Sequence, residues 1–110
     1  MVNPEEYVNV KDALRRIGGS MDLYKRLLNQ FIGGNHIEPL EEALKSGDTE
    51  KASHLVHTLK GVCANLSLVK LADAAVALER NIKEGSDHAG NLEELKAAYS
   101  TTSEQIALIQ

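Results

Sequence analysis

Residues 91–109, NLEELKAAYSTTSEQIALI, decide the fold class of this chain. Six side chains in the stretch recur with gaps of 3, 4, 3, 4 and 3 residues, the spacing of one face of an α-helix in a bundle. These six are Leu92, Leu95, Tyr99, Thr102, Ile106 and Ile109. Asn91 followed by Glu94 has the form of a capping box, which places the helix start at this asparagine. The stretch therefore predicts a long amphipathic helix with one buried seam.

The same helical spacing continues along most of the chain, and no alternating run predicts a β-strand. It predicts a short helix over 10–17 and longer helices over 49–66 and 68–84. Residues 22–46 also carry an apolar stripe, but a Gly-Gly pair and a proline interrupt it, so this region is either one kinked helix or two segments. We therefore expect an all-α fold, an antiparallel up-and-down four-helix bundle with a short extra N-terminal helix.

Small polar residues and glycines mark the predicted helix ends. Ser20 or Asp22 can cap the second helix, and Asp48 can cap the helix that follows it. Ser67 can cap the helix over 68–84, and Gly85 ends that helix. The connections between the long helices are therefore short, as an antiparallel bundle requires.

Composition excludes several classes of function. The chain has 110 residues with 12 Lys and Arg against 16 Asp and Glu, a net charge of −4, which argues against a nucleic-acid binder. A single cysteine, Cys63, excludes an internal disulfide, and we expect it to be a small apolar filler. No stretch is long and apolar enough to cross a membrane, and residues 1–6, MVNPEE, do not resemble a signal peptide. We expect a cytoplasmic protein without membrane insertion.

The most informative segment is 54–66, HLVHTLKGVCANL. At about 100° per residue, His57 lies nearly opposite the predicted core stripe of its helix and is therefore exposed. That stripe consists of Ala52, Leu55, Leu59, Val62 and Leu66. Three small residues lie within about 40° of His57 around the helix, and Lys60 lies one turn on. These small residues are Ser53, Gly61 and Ala64.

This arrangement favours chemistry at the imidazole. Gly61 inside a helix costs about 1 kcal/mol relative to alanine, and open access for another protein would explain its presence. A neutral imidazole can attack a phosphoryl group and hold it as a phosphoramidate. The ammonium of Lys60 can offset the negative charge that the phosphoryl group brings.

The segment resembles the signature of histidine-containing phosphotransfer (HPt) domains, His-x-x-Lys-Gly with a small residue, usually glycine, six positions later. Here the pattern reads His57, Lys60 and Gly61, with Ser67 in place of the usual glycine. Gly47-Asp48 and the segments 13–20 and 23–31 are also similar to the family. The resemblance covers residues 8–109, so residues 1–110 are expected to form a single HPt-like domain with a core of about 8–109.

The resemblance implies a phosphorelay intermediate in two-component signal transduction. His57 would accept a phosphoryl group at Nε2 from a receiver-domain aspartate and pass it to another receiver, with the reverse transfer chemically equivalent. Lys60 would neutralise phosphate charge, and Gly61 would give the partner access. A receiver would dock over His57 on an apolar patch of the short first helix and the long second one. The candidates for this patch are Leu14, Ile17 and Leu27, and packing in the core is the equal alternative for each of them.

The expected partners are receiver domains of response regulators and a hybrid sensor histidine kinase. The chain has no Gly-x-x-x-x-Gly-Lys-Ser/Thr loop, so it would carry phosphoryl groups without a kinase activity of its own. No cofactor of its own is expected, since the Mg²⁺ of the reaction would belong to the receiver. We expect a monomer.

Two other interpretations stay open at this point. The chain could be a non-catalytic helical adaptor that keeps the fold without phosphorylation. It could also be a metal-binding helical bundle that uses His54 and His57, although the sequence offers no third ligand. His36 and His88 fall in predicted loops and are expected to be solvated.

Overall fold

A computed structural model describes residues 3–110, so residues 1 and 2 of the predicted domain lie outside the described part. Seven α-helices and no strand occur in residues 3–110. They are α1 (Pro4–Tyr7), α2 (Val10–Arg16), α3 (Met21–Gly33), α4 (Glu38–Lys45), α5 (Thr49–Asn65), α6 (Val69–Glu84) and α7 (Ala89–Ile109). The prediction of an all-α helical bundle is confirmed. None of the described helices is long and apolar enough to cross a membrane.

The core lies between the long helices α5, α6 and α7, with α3 and α4 together supplying the fourth side. α5 packs on α6, α6 on α7, α4 on α5 and α3 on α7. The seam predicted on α7 is observed, since Leu95, Thr102 and Ile106 are buried. The predicted apolar face of α6 is buried as well, at Leu71, Ala75, Leu78 and Ile82.

The region 22–46 forms two helices, one of the two arrangements that the sequence allowed. α3 ends at Gly33, and Gly34 is extended, with φ −85° and ψ 155°. Pro39 lies in the first turn of α4, where its missing N–H is not needed.

His36, expected to be solvated, is half-buried instead. Its ring stacks on Phe31 with centroids 4.4 Å apart, and its Nε2 lies 2.9 Å from the Phe31 carbonyl oxygen.

Several helix starts agree with the predictions, and one helix was not predicted. Ser20, not Asp22, caps α3 by accepting a hydrogen bond from the Leu23 backbone N–H, and Asp48 caps α5. Gly85 ends α6 in the left-handed conformation, with φ 68°. The short α1 was missed by the helical spacing, because four residues are too few to show a period.

Two predicted caps are wrong. Leu68 is the N-cap of α6, while Ser67 adopts φ 55° and its hydroxyl donates to Asp12 Oδ2 at 2.6 Å. α7 begins at Ala89, so Asn91 lies inside the helix, and its side-chain amide donates to the side chain of Asn81 instead. In both cases a partner on another helix takes the polar group.

The buried stripe of α5 is rotated by about 40° from the predicted one. Val56 and Cys63 are fully buried, whereas Leu55 and Val62, which were assigned to the core, are only half-buried. α6 packs on α5, and its Glu79 contacts Lys60 on the same flank as Val56 and Cys63. Cys63 is the small apolar filler that the sequence predicted, and burial raises the pKa of its thiol to about 12. The rotation leaves His57 on the exposed side.

Candidate functional site

His57 stands on the outer face of α5, with 66% of its side chain exposed. Its Nδ1 lies 2.9 Å from Oε2 of Glu79 on α6. A carboxylate only accepts hydrogen bonds, so we assign the ring hydrogen to Nδ1. In the neutral ring, Nε2 then keeps its lone pair, and it lies on the side of the ring away from the carboxylate. The imidazole is therefore oriented for attack through Nε2.

Glu79 is the residue that orders the site. Its side chain is only 7% exposed, yet its two oxygens contact three nitrogen-bearing groups. Oε1 accepts from Lys60 Nζ at 2.7 Å, while Oε2 accepts from His57 and has Lys83 Nζ at 3.8 Å. The hydrogen bond from Lys60 lowers the pKa of Glu79, against the opposing effect of burial, with His57 and Lys83 contributing further. The buried carboxyl therefore stays ionised.

Sequence reasoning missed Glu79. The residue lies about 70° from the centre of the buried face of α6, at its polar boundary. A carboxylate at such a boundary is a weak signal for a site, because periodicity does not say which neighbouring helix that boundary faces. Only the packing of α6 against α5 brings Glu79 to His57 and Lys60.

Lys60 and Gly61 lie where the sequence predicted, one turn along α5 from His57. Lys60 points to α6 and is already ion-paired, with 31% of its side chain exposed. A Cβ added to Gly61 would meet nothing within 4 Å, so open space adjoins the imidazole. Ala64 is exposed and Ser53 is half-buried, so the small residues near His57 leave its outer side clear.

The other candidate residues lie apart from this arrangement. Leu14, Ile17 and Leu27 are half-buried and pack against the core. His54 is exposed one turn before His57 on α5. Within residues 3–110, no group of three or more His, Cys, Asp or Glu side chains could hold a metal ion, so His54 and His57 have no third ligand of these types there.

Chemically, the site combines a nucleophilic ring nitrogen, a fixed tautomer and a nearby ammonium. The ammonium is held by an ionised carboxylate rather than free in solvent, so it is positioned before any anion arrives. These features suit the reversible attachment of an anionic group to Nε2.

Comparison with known families gives one match. The family model described as the Hpt domain matches residues 27–105, which includes the whole of α4, α5 and α6 and most of α7. No curated protein and no solved structure matches the chain significantly. The matched range contains the ring, the carboxylate and the ammonium of the site.

Proposed function

Because the chain belongs to the Hpt domain family, whose members act in phosphorelay signalling and interact with receiver domains, we propose that His57 is its phosphorylated residue. His57 accepts a phosphoryl group from the aspartate of one receiver and passes it to the aspartate of another. The observation that carries this proposal is the hydrogen bond from Nδ1 to Glu79, which leaves the exposed ring with Nε2 as its nucleophile.

In the proposed transfer step, one bond to phosphorus forms as another breaks. The lone pair of Nε2 attacks phosphorus, the bond from phosphorus to the receiver aspartate breaks, and that aspartate leaves as a carboxylate. The hydrogen stays on Nδ1, so the product is a cationic ring that bears the phosphoryl group. Glu79 accepts the hydrogen bond from Nδ1 throughout and stabilises the positive charge that develops there. Onward transfer reverses these events at the second receiver.

Lys60 and Gly61 support this step in different ways. The Lys60 ammonium lies one turn from His57 and offsets the charge of the phosphoryl oxygens. Gly61 provides the clearance that a receiver needs to bring its aspartate in line with Nε2. Any Mg²⁺ in the reaction is held by the receiver, and the chain uses no cofactor of its own. The direction of net flow depends on which receivers are present.

The test is labelling by phosphorylated receiver domains. Receivers encoded in the same genome are expressed singly, phosphorylated with radiolabelled acetyl phosphate, desalted and mixed with this chain. We expect label on the wild-type chain that is lost in acid and stable in base. His57→Gln abolishes the label, and the matched control His54→Gln, an exposed histidine one turn away, retains it. Label that survives in His57→Gln contradicts the assignment, and a chain that no receiver labels is a helical adaptor instead.

A further inference from the structure

We infer that two copies of this chain pair through a groove between α2 and the C-terminal end of α7, with Leu108 of each copy inserted into the groove of the other. The groove is a surface depression of about 540 Å³ bordered by α1, α2 and α7. We call it the α2–α7 groove. Its apolar lining consists of Pro4, Val8, Val10, Leu14, Leu108 and Ile109.

Leu108 is an exposed apolar side chain beside an apolar hollow. It is 77% exposed, whereas the two other large apolar side chains that are exposed within residues 3–110, Val69 and Val76, are only 38% and 40% exposed. A single exposed leucine is ordinary, but this one lies on the rim of a depression whose wall includes the buried Val8 and the half-buried Ile109. A projecting apolar group and a hollow that can receive one therefore share a single patch.

The charges of the groove are also self-complementary. A twofold dimer brings the same patch of both copies together, so the patch must match itself in shape and in charge. Glu5 and Lys11 are the charged residues of the lining, and they have opposite signs. Within residues 3–110, neither of them forms an ion pair with another side chain. In a twofold arrangement, Glu5 of each copy can face Lys11 of the other, which gives two equivalent contacts.

The net charge of the chain favours this patch for contact between copies. Each copy carries a net charge of −4, so most ways of bringing two copies together are opposed by repulsion. The lining of the groove has one charge of each sign and no net charge. A strongly acidic or strongly basic partner finds no complementary field there. A second copy does, because its own groove offers the matching pair of charges.

Pairing through the groove is independent of phosphoryl transfer. No residue of the lining lies on α5, which carries His57. Of the three apolar residues that the family resemblance implies for receiver docking, Leu14 lines the groove, whereas Ile17 and Leu27 do not. The groove is therefore a different surface from that patch, and the oligomeric state can be measured without any receiver.

The first experiment is sedimentation equilibrium of the full chain at low salt, over concentrations from about 10 µM to about 2 mM. One leucine from each copy makes a small interface, so we expect a reversible dimer with a Kd between about 10 µM and 1 mM. Leu108→Gln should raise this Kd on the order of tenfold or more, because both copies lose their apolar anchor. The matched control Val76→Gln, an exposed apolar residue of α6 outside the groove, should keep the wild-type Kd.

The second experiment reverses the charges of the groove. Lys11→Glu and Glu5→Lys each place like charges opposite one another, so either variant alone should dimerise about threefold to tenfold more weakly. An equimolar mixture of the two variants restores opposite charges at both contacts and should form heterodimers at least as tight as the wild-type dimer. Each variant is first shown to have the helical circular dichroism spectrum of the wild-type chain.

Three outcomes overturn the inference and leave the proposed function intact. The first is a wild-type chain that stays monomeric to about 2 mM, which would leave the groove to a different partner. The second is an equal change of Kd in Leu108→Gln and Val76→Gln, because association would then not depend on the groove. The third is a mixture of the charge variants that pairs no better than either variant alone.

Discussion

At the scale of single residues, Glu79 is the centre of the site. A carboxylate with so little exposure is tolerated in a folded protein only when its charge is paired. Lys60 and His57 provide that pairing here, one on each carboxylate oxygen. The same contacts fix which ring nitrogen carries the hydrogen. Glu79 thus positions His57 without being expected to touch the phosphoryl group.

Replacement of Glu79 tests this positioning role. Glu79→Ala removes the acceptor for the Nδ1 hydrogen, so we expect labelling by phosphoramidate to slow on the order of tenfold. Glu79→Gln keeps one oxygen that can accept from Nδ1 and is expected to retain most of the rate. Nitrogen-15 NMR of the imidazole reports the tautomer directly, and the Nδ1–H form should decrease in Glu79→Ala. A wild-type rate and tautomer population in Glu79→Ala would show that the hydrogen bond has no such role.

At the scale of elements, the corner between α5 and α6 is held by the N-terminal helices. The backbone N–H of Asn9 donates to the carbonyl of Ser67 at 3.0 Å, and the Tyr24 hydroxyl donates to the carbonyl of Leu66 at 2.7 Å. The Ser67 hydroxyl donates to Asp12 at 2.6 Å. α2 and α3 therefore hold the turn after the helix that carries His57.

Because the backbone of Ser67 is left-handed, we expect glycine at this position to give a more stable chain than alanine. Ser67 has φ 55°, a conformation that costs a non-glycine residue about 1 kcal/mol or more. Ser67→Gly and Ser67→Ala both lose the hydroxyl, so the difference between them isolates the backbone. We expect the glycine variant to be more stable by about 1 kcal/mol in urea unfolding. Equal stabilities, or a more stable alanine variant, would contradict the strained conformation.

The helices of this chain could be predicted from its sequence, whereas the polar contacts between them could not. The helices and their order follow from apolar spacing and from glycine and proline, because a helix buries one face whatever packs on it. The roles of Ser67, Asn91 and Glu79 depend on Asp12, Asn81 and His57, residues of other helices. Because these partners are distant along the chain, local sequence patterns do not reveal the contacts. The candidate segment itself was visible in the sequence because His57, Lys60 and Gly61 are neighbours on one helix.

At the scale of the whole molecule, two ionised carboxylates tie separate parts of the fold together. Glu79 joins α6 to α5, and Asp12 joins α2 to the corner before α6. The pKa of Asp12 is held well below its usual range by the hydrogen bond from Ser67, and further by the hydrogen bonds from Arg16 and Arg15. Both carboxyl groups are therefore harder to protonate in the folded chain than in the unfolded one.

These lowered pKa values predict a loss of stability in acid. Each carboxylate stabilises the fold fully above its ordinary pKa, 3.8 for Asp and 4.5 for Glu, and this contribution is lost progressively as the pH falls from the ordinary pKa toward the lowered one. Between pH 6 and about pH 3, the Tm of the double variant Asp12→Asn with Glu79→Gln should therefore fall less than the Tm of the wild-type chain. The matched control, Asp73→Asn with Glu84→Gln, replaces two exposed carboxylates. A wild-type acid dependence in the first double variant would contradict these assignments.

The break between α3 and α4 has a consequence for how this chain can change in length. In a continuous helix, one inserted residue turns everything beyond it by about 100°. Here Gly34 and the residues up to Ile37 separate the two helices, and α4 packs on α5 while α3 packs on α7. An insertion at this joint would be absorbed locally, as surface loops absorb insertions. Residues inserted at this joint therefore leave α5 in place and do not turn His57 toward the interior.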